Sequence, residues 1–211
     1  MSRFYDAIET ARALAPMDGR TLAEPPRLPG QVTASDLPML RLWQGVEAKL
    51  ADHPRRVIQI VPCGEGEHDP AVAVRLARLA GRSMGGGVLL LNQIESENRM
   101  DDDGQVALGP LPGRAGNASA LNPRLLAAYW QHLAERADLI ILDTPPVLSS
   151  PLAQALAPTV DGVILVVEAE RTRTEVARAA QHALTMAGAN ILGVVLNKRR
   201  YHVPKRVYER L

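Results

Sequence analysis

From Val57 onward the chain alternates between two kinds of segment, and this alternation constrains its fold more than any other feature. Five runs of strand length, VIQIV (57–61), GVLLLN (87–92), LIILD (139–143), GVILVV (162–167) and ILGVVLN (191–197), are apolar on almost every residue rather than on every second one. Strands of that kind bury both faces. Stretches with helical spacing lie between several of them, at 70–82, 122–136 and 172–187. Parallel strands need long crossovers, usually helices. The pattern therefore predicts an α/β fold: a doubly wound, mainly parallel sheet with helices on both faces. Such sheets bind ligands at the carboxyl ends of their strands.

The flanks read differently. Residues 1–34 are expected to hold a short amphipathic helix and a linker. Ser2 can cap a helix over 2–15 that places Phe4, Ile8, Ala11 and Ala15 near one face, and the run PMDGRTLAEPPRLPGQ that follows is rich in proline and glycine. The main domain is placed at 35–200. Its first helix is predicted from Ser35 to Ala51, with Leu40, Trp43, Val46 and Leu50 on one stripe. The acidic stretch ESENRMDDDGQ (95–105) reads as a loop. Residues 201–211 form a basic tail.

Charge and cysteine content narrow the function classes. The net charge of +1 predicts no general affinity for nucleic acid. Basic residues gather at the end, where Lys198, Arg199, Arg200, Lys205, Arg206 and Arg210 face a single acid, Glu209. Val203, Val207 and Leu211 recur there at helical spacing, so the tail is expected to dock on an acidic partner or on lipid head groups. A single cysteine, Cys63, allows no internal disulfide and fits a reducing cytoplasm. With no base beside it in sequence, its thiol is expected to be inert. No apolar run is long enough to span a bilayer and no signal peptide is visible, so membrane association is expected to come through a partner or a surface contact.

Two stretches sit where chemistry would be expected. VPCGEGEHD follows the first strand and DTPPVLSS the third of the runs above. A working phosphate loop reads G-x-x-x-x-G-K-[ST]: its backbone N–H groups wrap the phosphates, its lysine reaches the outer ones and its hydroxyl holds magnesium. With Gly66 set on the last glycine, Val61 takes the first glycine position, Glu67 the lysine and His68 the hydroxyl. Asp143, at the end of a buried strand, suits a magnesium shell in a nucleotide-binding sheet; its other reading is a cap for the turn that follows. His53, His68 and Asp69 match no common metal-ligand spacing, and no metal site is expected.

The stretch LIILDTPPVL, followed by VDGVILVVEAERTRTEVARAAQHALTMAGANILGVVLNKRRY, resembles the cytoplasmic domain of the bacterial tyrosine kinases of capsule and exopolysaccharide systems, whose fold is that of the P-loop NTPases. MSRFYDAIETA and LNPRLLAAYWQHLAERADL are similar as well. The resemblance covers nearly the whole chain and is strongest from Asn122 to Tyr201. It implies an ATP–magnesium site built from three motifs, a tyrosine tail phosphorylated in trans within a ring, and an inner-membrane polysaccharide co-polymerase as partner. Two tyrosines, Tyr201 and Tyr208, stand as possible phospho-acceptors.

The chain departs from that pattern at the chemistry. The family's GEGKST is matched by GEGEHD, with Glu67 for its lysine and His68 and Asp69 for its hydroxyls, and its D-x-D by Asn92-Gln93-Ile94. Arg41 remains from a charged oligomerisation motif, while Ser35 and Pro38 replace other members. Only Asp143-Thr144-Pro145-Pro146 is intact. Lysine to glutamate changes the charge beside the phosphates by two units, and one charge pair at about 4 Å and an effective dielectric of about 20 is worth roughly 4 kcal/mol. Phosphoryl transfer is mostly positioning and charge stabilisation.

Gly64, Glu65, Gly66, Glu67, His68, Asp143 and Thr144 are accordingly expected to form a vestigial nucleotide site, with no catalytic residue and no cofactor. The expected role is a pseudokinase: a cytoplasmic scaffold or regulator held at the inner membrane by the co-polymerase or a synthase complex, as a homo-oligomer or beside an active kinase. Arg199, Arg200, Lys205 and Arg206 would dock it. The alternative is a divergent ATP-binding autokinase or ATPase, with ATP and Mg as cofactors and Lys198 or Lys49 replacing the lost lysine. Arg75 and Arg78 lie a helical turn or more beyond the loop.

Overall fold

The computed structural model describes residues 37–198, apart from 54, 67, 68, 86, 96, 102, 103, 105 and 114–120. The expected helix at 2–15, the linker and the tail lie outside the described residues, as do Ser35, Glu67, His68, Arg199, Arg200, Tyr201, Lys205, Arg206 and Tyr208.

The elements follow one another as α1 (Leu37–Lys49), β1 (Val57–Pro62), α2 (Pro70–Met84), β2 (Val88–Asn92), β3 (Arg99–Met100), β4 (Val106–Pro110), α3 (Pro123–Ala134), β5 (Leu139–Asp143), α4 (Pro151–Leu156), a 3-10 turn (Ala157–Thr159), β6 (Gly162–Glu168), α5 (Thr174–Met186) and β7 (Ile191–Asn197). The seven strands form one sheet in the order β3-β4-β2-β5-β1-β6-β7. Every pairing is parallel except β3 with β4. β1 lies between β5 and β6, so the loop after β1 opens between its neighbours' carboxyl ends, where doubly wound sheets bind ligands.

Two apolar layers sandwich the sheet. On one side α1 and α2 press Trp43, Val46, Val72 and Leu76 onto Ile58, Ile60, Leu90 and Ile141. On the other side Leu126, Trp130, Leu152, Ala180 and Leu184 cover Val57, Val61, Ile140, Leu142 and Val163. Each layer is built around one fully buried tryptophan, Trp43 or Trp130. The α1 stripe is Met39, Trp43, Val46 and Leu50; Leu40, expected on it, is only half-buried and Met39 takes its place.

Two elements escaped the apolar pattern. β4 reads VALGP, and its closing Gly-Pro resembles a turn. Gly109 is needed there, since a Cβ would come within 2.5 Å of Asn98 Oδ1. The acidic stretch at 95–105, expected to be loop throughout, contains β3. Asp101 fastens this hairpin: its Oδ1 accepts from Val106 N–H at 3.0 Å and its Oδ2 from Arg78 Nε at 3.0 Å.

Glu95 and Arg99 form a two-pronged pair in the same segment, at 2.9 and 2.8 Å. The guanidinium holds the Glu95 carboxyl below its ordinary 4.5, partly offset by burial. A lowered folded value gives a stabilisation that is present above pH 4.5 and fades as pH falls through the folded value. Arg99→Ala is therefore expected to return the Glu95 titration, followed by NMR, toward 4.5, with a small loss of stability because the pair is partly solvated.

Candidate functional site

The loop after β1 is built by its two ends. Cys63, fully buried, donates its N–H to Val166 O at 3.1 Å, which pins the loop's start to β6. Gly66 has φ +71, a conformation that favours glycine. Asp69 then caps α2, its Oδ1 accepting from Ala71 N–H at 3.0 Å. Pro70 is the first helical residue.

This cap decides what the helix end can bind. A phosphate loop offers the free N–H groups of a helix's first turn to an anion. Here Pro70 has no N–H, Ala71 donates to the Asp69 side chain, and Val72 donates to Asp69 O at 3.2 Å. The carboxylate of Asp69 occupies the place of a ligand anion. Asp-Pro at a helix start is a readable signal of this arrangement. Treating Asp69 only as a lost hydroxyl missed it.

The third motif sits beside the loop, as expected. Asp143 pairs in register with Ile60 and is almost completely buried. It shares the strand parity of Leu139 and Ile141, which puts it on the α2 side of the sheet. Thr144 is buried and donates its hydroxyl to Ile60 O at 3.1 Å, while accepting from Gln59 Nε2 at 3.1 Å. Val147 N–H reaches Pro62 O at 3.0 Å. The DTPP turn is thereby fastened along the end of β1.

Asn92 ends β2, which is separated from β1 by β5. Its Oδ1 accepts from the N–H groups of both Ile94 and Glu95 at 2.8 Å, closing a turn on itself. Ile94 is 69% exposed.

Sequence reasoning missed Glu168, Arg171 and Asn197. Glu168 ends β6 and Asn197 ends β7, and the two pair in register. Asn197 Nδ2 donates to Asp69 Oδ2 at 3.1 Å. Lys198 Nζ lies 3.4 Å from Glu168 Oε2 and 3.9 Å from Asp69 Oδ2. Arg171 Nη1 donates to Gly66 O at 2.9 Å. Of the two substitute lysines considered, Lys198 thus reaches the loop. Lys49 does not: it donates to Leu192 O at 2.6 Å, at the amino end of β7. His53 is also at the amino ends of the strands, 3.8 Å from Asp161, far from Asp69.

Comparison with known proteins follows from this geometry. No family model matches the chain. Among curated proteins it is 32% identical over 102 residues, 48% of its length, to the putative tyrosine-protein kinase CapB of Staphylococcus aureus. It is also 32% identical over 114 residues, 51% of its length, to the tyrosine-protein kinase YwqD of Bacillus subtilis. Its relatives are bacterial tyrosine kinases. A further match, 29% identical over 104 residues and 47% of this chain, is the succinoglycan biosynthesis transport protein ExoP of Rhizobium meliloti. The matches span less than half of these relatives' own lengths: 44%, 44% and 13%.

Solved structures agree on the fold. The kinase domain of the Escherichia coli tyrosine kinase ETK superposes with a TM-score of 0.66 at 18% identity, over 79% of this chain and 77% of that one. The MinD cell division protein of Aquifex aeolicus gives 0.52 at 16% identity, over 74% and 72%. The architecture is that of the bacterial tyrosine-kinase domains and the MinD-type P-loop ATPases, as the resemblance implied, and its mainly parallel sheet is the one the apolar runs predicted.

One tyrosine of the chain lies within the described residues. The Tyr129 ring lies tilted against Trp130 at 5.1 Å, and burial pushes its phenol up to about 12. It is partly buried and packs against the core. The possible acceptors Tyr201 and Tyr208 lie outside the described residues.

Proposed function

We propose that this chain is a catalytically silent relative of the bacterial tyrosine kinases, acting as a scaffold or regulator in exopolysaccharide or capsule synthesis and export. One observation carries the reading: the first turn of α2 has no N–H left to offer a phosphate, because Pro70 lacks one and Asp69 engages the next two. Glu67 in place of lysine, and Asn92 and Ile94 in place of acids, point the same way. The polysaccharide context is supported by the similarity to ExoP, a succinoglycan biosynthesis transport protein. In this role the chain works at the cytoplasmic face of the inner membrane, against a co-polymerase or synthase complex, alone or with an active kinase. No helix among the described residues is long and apolar enough to cross a membrane, which suits attachment through a partner. Arg199, Arg200, Lys205 and Arg206 supply the cations for docking on an acidic surface.

A second reading, a divergent ATP-binding autokinase or ATPase, draws on Lys198, whose ammonium stands at the loop beside Glu168 and Asp69. Titration of the purified protein with ATP–Mg in a calorimeter, followed by a tyrosine-phosphorylation assay, separates the two. The expected result is no binding heat and no phosphotyrosine. Micromolar binding that Lys198→Ala abolishes would replace the scaffold reading with the second one.

A further inference from the structure

The contact between Arg171 and the loop after β1 does more than fill space. Arg171 belongs to the β6–α5 connection, 105 residues away from Gly66 in sequence. Its Nη1 donates to Gly66 O at 2.9 Å. Its Nη2 lies 2.6 Å from where a Cβ on Gly66 would be, so the guanidinium occupies the space beside the loop that glycine leaves open. The arginine is aimed by a turn that closes on itself. Glu168 N–H donates to Thr172 Oγ1 at 2.8 Å, and the N–H groups of Arg171 and Thr172 return to Glu168 O at 3.3 and 3.0 Å. Glu170 has φ +64 in this turn, an uncommon conformation for a residue with a side chain.

Glu168 is the anchor. Its Oε2 lies 3.6 Å from Arg171 Nη1 and 3.4 Å from Lys198 Nζ. Lys198, itself at φ +54, leans on toward Asp69, which also receives Asn197. The carboxyl ends of β6 and β7 thus hold the loop on both sides, at Gly66 and at Asp69. In a phosphate loop, a bound anion gathers the backbone N–H groups around itself. Here the chain's own cation grips a backbone carbonyl instead.

We propose that Arg171 is a built-in latch, held by Glu168, that fixes the backbone at Gly66 in the loop after β1 without any bound anion. The latch goes beyond catalytic silence: it makes the surface formed by this loop, residues 168–172 and Lys198 independent of nucleotide.

Amide hydrogen exchange of the purified full chain tests this. In Arg171→Ala the amides of Cys63 and Ala71, which are hydrogen-bonded at the two ends of the loop, are expected to exchange about tenfold faster, the effect of losing one charge-assisted hydrogen bond from a local opening equilibrium. Glu168→Gln, which removes the anchor and keeps the side-chain shape, is expected to accelerate the same amides. Arg173→Ala, a nearby exposed arginine outside the latch, is expected to leave them unchanged. Salt adds a signature that simple packing lacks. Raising ionic strength screens the Arg171–Glu168 pair and accelerates these amides in the wild type but not in Arg171→Ala. Circular dichroism and melting verify that each variant is folded. Unchanged exchange at Cys63 and Ala71 in folded Arg171→Ala, or an equal rise in Arg173→Ala, would overturn the latch and leave the scaffold reading standing. Micromolar ATP binding by the wild type would instead count against the scaffold reading, while the exchange comparison decides the latch by itself.

Discussion

Trp130→Ala is expected to destabilise the protein by about 3–5 kcal/mol, the cost of emptying a large aromatic site in a packed interior. Trp130 is fully buried at the centre of the α3–α4–α5 layer, and its Nε1–H donates to Thr159 Oγ1 at 3.0 Å. Thr159 in turn donates to Leu156 O at 2.7 Å, so the indole closes a chain that fixes the 3-10 turn under β6. Trp43, the counterpart in the other layer, is equally buried, but its Nε1 has no partner among the described residues. Phenylalanine at 130 removes a bond, whereas phenylalanine at 43 removes a buried donor that makes none. Trp130→Phe should thus cost about 1 kcal/mol more than Trp43→Phe. Urea unfolding of the two variants measures the difference. Equal losses would mean that the Thr159 bond contributes nothing.

Restoring lysine at position 67 alone is expected to leave the protein unable to bind ATP–Mg. The added charge still meets a helix end whose donors are missing or engaged, at Pro70, Ala71 and Val72. Combining Glu67→Lys with Asp69→Thr and Pro70→Ala returns a lysine, a hydroxyl and an N–H, and removes the competing carboxylate. Calorimetric binding heat is expected only in this triple variant. The substitution at 69 replaces one good capping residue by another, so the stability change at the cap is expected to stay within about 1 kcal/mol. Binding by the single variant at the affinity of the triple one would show that Asp69 and Pro70 do not matter.

Much of the fold was legible because a strand buried on both faces leaves a contiguous apolar run, as VIQIV and LIILD do. β4 was not, since Gly109 sits at a close approach near the end of a short strand and, with Pro110, imitates a turn. Within the site, the loop and Asp143 were visible because the one follows a recognisable strand and the other ends one. The partners that converge on them were not. Nothing local marks Glu168, Arg171 or Asn197, because their meeting with Gly66 and Asp69 depends on β6 and β7 lying beyond β1 in the sheet order. Asp69 itself was legible as a helix cap, but the comparison with a phosphate loop cast it as an absent hydroxyl.

The pairing of β6 with β7 slips by one residue between Val163 and Ile164: Ile191 faces Val163, and Gly193, not Leu192, faces Ile164. Side chains alternate across a sheet, so this extra residue inverts the frame of everything after it. Ile191 packs in the layer of Trp130, yet Val195, four residues on, packs in the layer of Trp43. In a regular strand the two would point the same way. The inversion turns Asn197 toward α2, where it meets Asp69. The wiring at the carboxyl end of the sheet is thus set by an irregularity near its amino end. Had the pairing run on from Ile191 without the slip, Leu196 and not Asn197 would stand opposite Glu168, so register, rather than composition, is the quantity this strand has to keep.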